Sequence, residues 1–332
     1  MEAANSMKRR ALLGIVENVS RLSNSFFGLA VFSSKSYNTP TICVGNLSVG
    51  GTGKTPMTEY LLRILENRKT SVLSRGYKRK STGFYLAGPK STVLELGDEP
   101  YQIHRKFPQV AVAVDENRRN GIAKLENLVD PDVIILDDAF QHRKVKPTFS
   151  ILLTAYQKIY VDDWYLPTGS LRDVKKEAKR ANLIIVTKCP KTLQEDEKQK
   201  VVVNLKPKAN QKVLFATLKY NDFVTDGGEN SIQLSELKGK PLALVTGIAS
   251  PEPLVAYLKS VGINFKHFKF GDHHHFTDKE IEQFKGYKLV LTTEKDFVRL
   301  EGRVKSLYFL EMAHSFSPED TMVLKSTVQG LF

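Results

Sequence analysis

The stretch TICVGNLSVGGTGKTPMTEYLLRIL, residues 41–65, decides the fold. "TICVG" reads as a short buried strand, "MTEYLLRIL" has helical apolar spacing, and between them lies a glycine-rich loop. A phosphate-binding loop reads G-x-x-x-x-G-K-[ST], and counting back from Gly53 lands on Ser48 where the pattern has its first glycine. The remainder fits. Ser48, Val49, Gly50, Gly51, Thr52, Gly53, Lys54 and Thr55 form a loop whose glycines leave successive N–H groups free to turn toward phosphate oxygens. Lys54 is then expected to reach the β- and γ-phosphates, and the Thr55 hydroxyl to take a place on Mg²⁺. Strand, loop and helix in this order also put the positive end of a helix under the anion, which a glycine-rich turn without a ligand does not require.

Outward from this unit, short apolar runs alternate with helical segments along most of the 332 residues, the signature of parallel βαβ units. The expected fold is α/β: a P-loop NTPase-like, mostly parallel sheet with helices on both faces, plus a second, smaller α/β domain. The lysine-rich stretch "EDEKQKVVVNLKPKANQK" separates two strand-rich halves, so the first domain is expected over 1–208 and the second over 209–332, with the C-terminal tail able to return to the first. At the N-terminus, Lys8, Arg9 and Arg10 precede an apolar stripe from Leu12 to Phe32. It predicts an amphipathic helix over about 8–32, suited to an anionic membrane interface or to packing on the protein's own core. Glu17, Asn18, Arg21 and Asn24 interrupt it, which excludes a bilayer span.

The strand "VIILD" ends in Asp137 and Asp138, placed like the acidic pair that holds Mg²⁺ beside a P-loop, although aspartate also favours caps and turns. "LGDEP" supplies Asp98 and Glu99 at the start of a predicted helix, where they serve its dipole or act as a base and a ligand near the metal. "FGDHHHFTDKE" gathers Asp272, His273, His274 and His275 before a capping box of Thr277 and Glu280. Three adjacent histidines cannot all face one ion, so zinc is not expected; a surface loop or a proton-transfer histidine is. Arg75, Tyr77 and Arg79 in "SRGYKR" and Arg172 in "LPTGSLRD" follow strands, where arginine can neutralise phosphate. "TKCP" stands where GTPases carry N-K-x-D, without the aspartate that would select guanine.

Composition narrows the partners. The net charge of +13 suits nucleic acid, an anionic membrane or a phosphorylated substrate, and no zinc-finger spacing, RNP motif or basic-aromatic run supports nucleic acid. Two cysteines, Cys43 and Cys189, make neither a disulfide framework nor a metal pair.

Taken in order, "VGNLSVGGTGKTP", "SRGYKR", "GDEP", "LDDAFQH", "LPTGSLRD", "FGDHHHF" and "TEKDFV" resemble the tetraacyldisaccharide 4'-kinases, the lipid A kinases of Gram-negative bacteria. In that family the P-loop begins with serine, as Ser48 does here. The resemblance implies a monomeric enzyme on the cytoplasmic face of the inner membrane that uses ATP and Mg²⁺ to phosphorylate the 4'-hydroxyl of a glycolipid, a tetraacylated glucosamine disaccharide 1-phosphate. It assigns proton abstraction to Asp98 with His273 as partner, catalytic charge to Lys54 and Arg172, and metal binding to Thr55, Asp137, Asp138 and Glu99. The chain departs from the family at Lys78 and Ala139, where glycine is usual, and at "LRDV" in place of "LREP". The two glycine changes fit the family backbone where those residues keep φ below zero. A membrane-recruited P-loop ATPase switch would need lysine at Val49, and a soluble small-molecule kinase is the other alternative.

Overall fold

The computed structural model describes residues 34–332, and the helix expected over 8–32 lies outside the described residues. The opening strand is β1 (Thr41–Asn46), buried at all six positions. It is followed by β2 (Thr70–Ser74), β3 (Tyr85–Leu86), β4 (Ala111–Val114), β5 (Val133–Asp137), β6 (Phe149–Ala155), β7 (Leu183–Cys189) and β8 (Lys212–Tyr220). Then come β9 (Phe223–Thr225), β10 (Ser231–Gln233), β11 (Leu242–Thr246), β12 (Lys266–Lys269), β13 (Leu289–Thr293), β14 (Leu307–Leu310) and β15 (Met312–Phe316).

The strands form a nine-stranded sheet, β15-β8-β7-β6-β1-β5-β2-β4-β3, and a six-stranded one, β10-β9-β14-β13-β11-β12. In the larger sheet every pairing from β8 to β4 is parallel, and only the edges β15 and β3 run antiparallel. Both faces are covered, which is why its strands read as continuous apolar runs. Cys43, Leu73, Ile134 and Leu136 pack with Ile122 and Leu125 of the helix Arg118–Leu128. On the opposite face, Ile42, Val44, Val72 and Ile135 meet Met57 and Leu61 of the helix Lys54–Ile64, Ile103 of Asp98–Lys106, and Leu324 and Val328 of Pro318–Gln329. The smaller sheet is sandwiched the same way, by Leu254 and Leu258 of the helix Glu252–Ser260 on one face and by Ile281, Phe284, Phe297 and Leu300 on the other.

The chain crosses from the large sheet to the small one at Asn221–Asp222 and returns through Glu311. These connections lie side by side, Asn221 N–H donating to the Glu311 carbonyl at 3.1 Å and its side-chain amide to the Glu311 carboxylate at 3.0 Å. The crossing falls later than the boundary at 209 read from the sequence. The lysine-rich stretch there is the helix Glu195–Leu205, an ordinary crossover between the parallel neighbours β7 and β8. From Met312 onward the chain lies again in the larger lobe, as β15 and the helix Pro318–Gln329.

Candidate active site

The P-loop is clasped from four sides. Asn46 at the end of β1 donates its amide to Thr52 Oγ1 at 2.7 Å, and Val49 N–H donates to the Ser170 carbonyl at 2.7 Å. Thr187 of β7 donates its hydroxyl to the Thr52 carbonyl at 2.9 Å. His314 of β15 donates Nε2–H to the Gly53 carbonyl at 2.9 Å. Gly50, Gly51 and Gly53 have φ of 66°, 62° and 83°, and a Cβ on Gly53 would stand 2.7 Å from His314 Nε2. Glycine at 53 is therefore required twice over, by backbone and by neighbour. The helix Lys54–Ile64 starts with no side-chain cap, which leaves its first N–H groups facing the loop's concavity.

On the β5 side, Asp138 (φ 45°) receives Arg172, and Lys54 Nζ approaches it to 3.7 Å. Arg172 also donates to Asn46 Oδ1 at 2.9 Å, so a single asparagine orders both the P-loop and this arginine. Burial pushes the Asp138 carboxyl up, but the charges of Lys54 and Arg172 outweigh it and hold the group below the usual carboxylate range. Asp137 is deeper, accepting only long hydroxyl bonds from Thr58 and Ser74, 3.4 Å each. Burial and the neighbouring Asp138 push it up to about 6. Asp137, whose carboxylate oxygens are only weakly engaged, and Asp138, which holds two cations, lie beside the helix that carries Thr55 in its first turn; together they are hard oxygen donors of the kind that suits Mg²⁺.

Across the cleft, Asp98 opens the helix Asp98–Lys106 after Gly97, whose φ of 87° lets the chain turn into it. Asp98 Oδ2 lies 2.9 Å from Nδ1 of His273, which itself has φ 55° and donates its backbone N–H to the Gly247 carbonyl at 3.1 Å. His273 Nε2 is 3.0 Å from the Lys295 ammonium, which can only donate, so Nε2 accepts and Nδ1–H donates to Asp98. Arg299 Nε adds a charge 3.4 Å from the same carboxylate oxygen. Burial raises the Asp98 carboxyl, yet the His273 hydrogen bond and the Arg299 charge together leave it below its ordinary value.

The cleft between the lobes has a volume of about 840 Å³ and is lined by Gly50 to Lys54, Asp137, Asp138 and Arg172 from one side and by His273 and Lys295 from the other. Of the residues singled out in the sequence, Val49 to Thr55, Arg75, Tyr77, Glu99, Asp137, Asp138, Arg172 and His273 line this cleft. Ser48 and Asp98 are not part of its lining, Asp98 meeting it through His273, while Arg79 turns to Glu116 and His274 to Glu280. One residue is regrouped. Glu99, expected with the two aspartates, pairs with Lys295 at 2.9 Å, and its carboxylate clusters with those of Asp98 and the His273 imidazole within 4.8 Å. Lys78 also departs from expectation, standing at φ 60°, the left-handed conformation that explains glycine elsewhere in the family. Sequence reasoning gave no role to Lys295, Arg299, Asn46 or His314. "TEKDFV" marked the first without saying what it did, and His314 sits on a returning strand with no motif around it.

A family model described as tetraacyldisaccharide-1-P 4'-kinase (LpxK) matches residues 10–329. The tetraacyldisaccharide 4'-kinase of Flavobacterium johnsoniae is 46% identical over 305 residues, covering 90% of this chain and 89% of that protein. The Bacteroides thetaiotaomicron protein of the same name is 45% identical over 83% of this chain and 78% of its own length. A crystal structure of LpxK from Aquifex aeolicus in complex with ATP superposes with a TM-score of 0.79 at 28% identity, covering 98% of this chain and 99% of that one.

Proposed function

The chain belongs to the tetraacyldisaccharide-1-P 4'-kinase family, and from that premise we propose how its own residues carry the reaction. The activity is ATP-dependent transfer of the γ-phosphate to the 4'-hydroxyl of a tetraacyldisaccharide 1-phosphate in lipid A biosynthesis. A sugar hydroxyl attacks poorly until its proton is taken, so the first requirement is a positioned base. Asp98 is that base. Its Oδ2 is held by His273 Nδ1–H, which leaves Oδ1 to receive the hydroxyl proton as the new O–P bond forms and the bond from Pγ to the bridging oxygen of ADP breaks. His273 positions the carboxylate, and Lys295 on Nε2 fixes the tautomer that does so.

Lys54 and Arg172 offset the negative charge of the transferring phosphoryl group, because positioning and electrostatics supply most of the catalysis in such transfers. Both already face Asp138, so the charges that will meet the phosphate are ordered before it arrives. Thr55, Asp137 and Asp138 would hold Mg²⁺, which when bound neutralises charge on the β- and γ-phosphates. Glu99 we assign to ordering Lys295. We divide the described residues into a P-loop domain formed by 34–220 and 312–332, and a smaller domain between, whose approach brings His273 to Asp98 and excludes water.

The substrate's acyl chains keep it in a bilayer, since each buried CH₂ is worth about 0.8 kcal/mol, so we propose a peripheral monomer working on the cytoplasmic face of the inner membrane. The net charge of +13 supports this, as do Trp164 and Leu166, 60% and 39% exposed on the loop that leads to Arg172. Among the described residues no helix is long and apolar enough to cross a membrane.

The observation that carries the mechanism is the 2.9 Å contact between Asp98 and His273, from different lobes, beside the P-loop cleft. Asp98→Asn keeps the shape and removes the base. Phosphoryl transfer should fall by about 10²–10⁴-fold with ATP affinity unchanged within twofold; turnover near the parent rate would reject Asp98 in this role.

A further inference from the structure

Lys188 sits near the end of β7, on the flank of the P-loop away from the acids. The strand order β7-β6-β1-β5 puts the loop after β1 between Lys188 and the Lys54–Asp138–Arg172 group. Its conformation is not that of a strand. The register between β7 and β8 slips between Val186 and Cys189, and Lys188 has φ 57°. The extra residue lets Thr187 turn inward to the Thr52 carbonyl at 2.9 Å while Lys188 leans over the loop, its Nζ 3.8 Å from where a Cβ on Gly51 would stand. From above, the smaller lobe closes on the same point: Ala249 and Ser250 come within 3.4 and 3.9 Å of the Cβ positions of Gly50 and Gly51.

The ammonium in this seam is unusual in what it lacks. Among the described residues Lys188 has no hydrogen-bond or salt-bridge partner. Burial pulls it below the ordinary lysine range, and the more distant carboxylate of Glu252 only partly restores it. A half-buried cation without a partner is unfavourable unless an anion comes to meet it. A bulge that aims it at a phosphate-binding loop states which anion.

We propose that Lys188 is a nucleotide-positioning residue, its ammonium meeting the α- and β-phosphates of ATP on the flank opposite Lys54 and Arg172. The proposal rests on the kinase reading above and extends it, since the cations already assigned stand at the end where the γ-phosphate reacts. With Lys54 on one side and Lys188 on the other, the polyphosphate is held at two points, the second adding affinity for the α- and β-phosphates that ATP and ADP share. Thr187 and Lys188 then act as a pair, the first tying the loop to the sheet and the second tying the ligand to the loop.

The test is direct nucleotide binding and kinetics with Lys188→Met, nearly isosteric and uncharged, and Lys188→Arg, which keeps the charge. Loss of one charge-assisted contact should raise the Kd and KM of ATP about tenfold and the Kd of ADP equally, with kcat within twofold of the parent. Lys188→Arg should recover most of the affinity, and the Tm of both variants should match the parent. An unchanged ATP Kd in Lys188→Met would overturn the proposal, as would a loss seen with ATP but not ADP, a fall in kcat alone, or a loss accompanied by a lowered Tm that Lys188→Arg does not repair. Binding is read without the lipid acceptor, so these outcomes are distinct from failure of the kinase reading, which would show as parent protein that binds ATP but never phosphorylates the glycolipid.

Discussion

His273 Nδ1 and Asp98 Oδ2 stand 2.9 Å apart although 175 positions separate them in the chain. The contact joins the first turn of a helix on the larger lobe to a loop of the smaller one, so the carboxylate proposed as the base is oriented by a residue from the other lobe. Three cations or donors converge on it: His273, Arg299 and, through His273, Lys295.

That crowding fixes a pH signature. Burial alone would raise the Asp98 carboxyl, but the imidazole hydrogen bond and the Arg299 charge win and hold it below its ordinary value. Removing the Arg299 charge should therefore move the acidic limb of kcat/KM to higher pH, because the base is protonated sooner as pH falls. Arg299 also holds Asp296 at 2.7 Å, so the comparison is Arg299→Gln against Arg299→Lys at matched Tm. A limb that stays put in a folded Arg299→Gln enzyme would mean that another group limits the rate.

A second prediction concerns the joint between the lobes. Lys106 reaches Glu59 at 2.9 Å, Glu294 at 3.0 Å and Glu311 at 3.3 Å, drawing the P-loop helix, the smaller lobe and the connection that returns to the larger lobe onto one ammonium. Three carboxylates share one lysine, with Arg63 reaching only Glu59 at 3.4 Å, and burial with the Glu59 charge pushes Glu294 up to about 8. The folded protein thus binds more protons here than the unfolded chain between the ordinary glutamate value and about 8, so this site's stabilisation falls as pH rises through that window. Glu294→Gln should flatten the decline of Tm from pH 6 to 9. Lys106→Met should destabilise strongly at pH 8 and less at pH 5, where protons replace the lost cation; a loss independent of pH would rule out this linkage.

These two sites show what was legible in the sequence and what was not. The P-loop and the acids after β5 announce themselves because each combines a residue type with a local context that chemistry rarely needs otherwise, whereas the Asp98–His273 pair is implied by the family resemblance and by no local pattern. Glu59 is the opposite case. In "MTEYLLRIL" it reads as a solvated helix residue, yet it is buried, accepting from Gln102 at 2.8 Å, because another helix and the smaller lobe cover that face. The same holds for the boundary after β8. Lysine-rich helices look like linkers until strand pairing on both sides is known. Local pattern specifies elements and motifs; which charged residues become buried is decided by contacts between elements distant in sequence.

The third prediction isolates one such contact. His314 is buried and uncharged, its imidazole pushed down to about 4 by burial, so its hydrogen bond to the Gly53 carbonyl should be insensitive to pH across the neutral range. Gly53→Ala forces a side chain into a left-handed backbone, at about 1–3 kcal/mol, and against the ring. Tm and ATP affinity should both fall. Adding His314→Ala should return part of the loss by relieving the clash while the backbone strain stays, and strictly additive effects would show that ring and glycine do not act on each other.

The membrane reading can be tested on a probe the chain already contains. Trp164 is the only tryptophan, and it is 60% exposed, an uncommon state for so large an apolar ring. Its backbone carbonyl accepts from Leu171 N–H at 3.0 Å, and the next residue is Arg172, so a ring seated in lipid would be tied by two strand-like segments to the arginine that faces Asp138. If this loop meets the bilayer, titration with anionic phospholipid vesicles should shift Trp164 emission to the blue, and 0.5 M salt should weaken the shift without abolishing it, since charge draws the protein in while the indole holds by desolvation. Trp164→Ser should then raise the apparent KM for vesicle-borne acceptor several-fold and leave the ATP KM unchanged. Emission that stays at its solvent-exposed wavelength, on vesicles that nevertheless bind the protein, would show that contact is made elsewhere and that Trp164 belongs to a face turned to water.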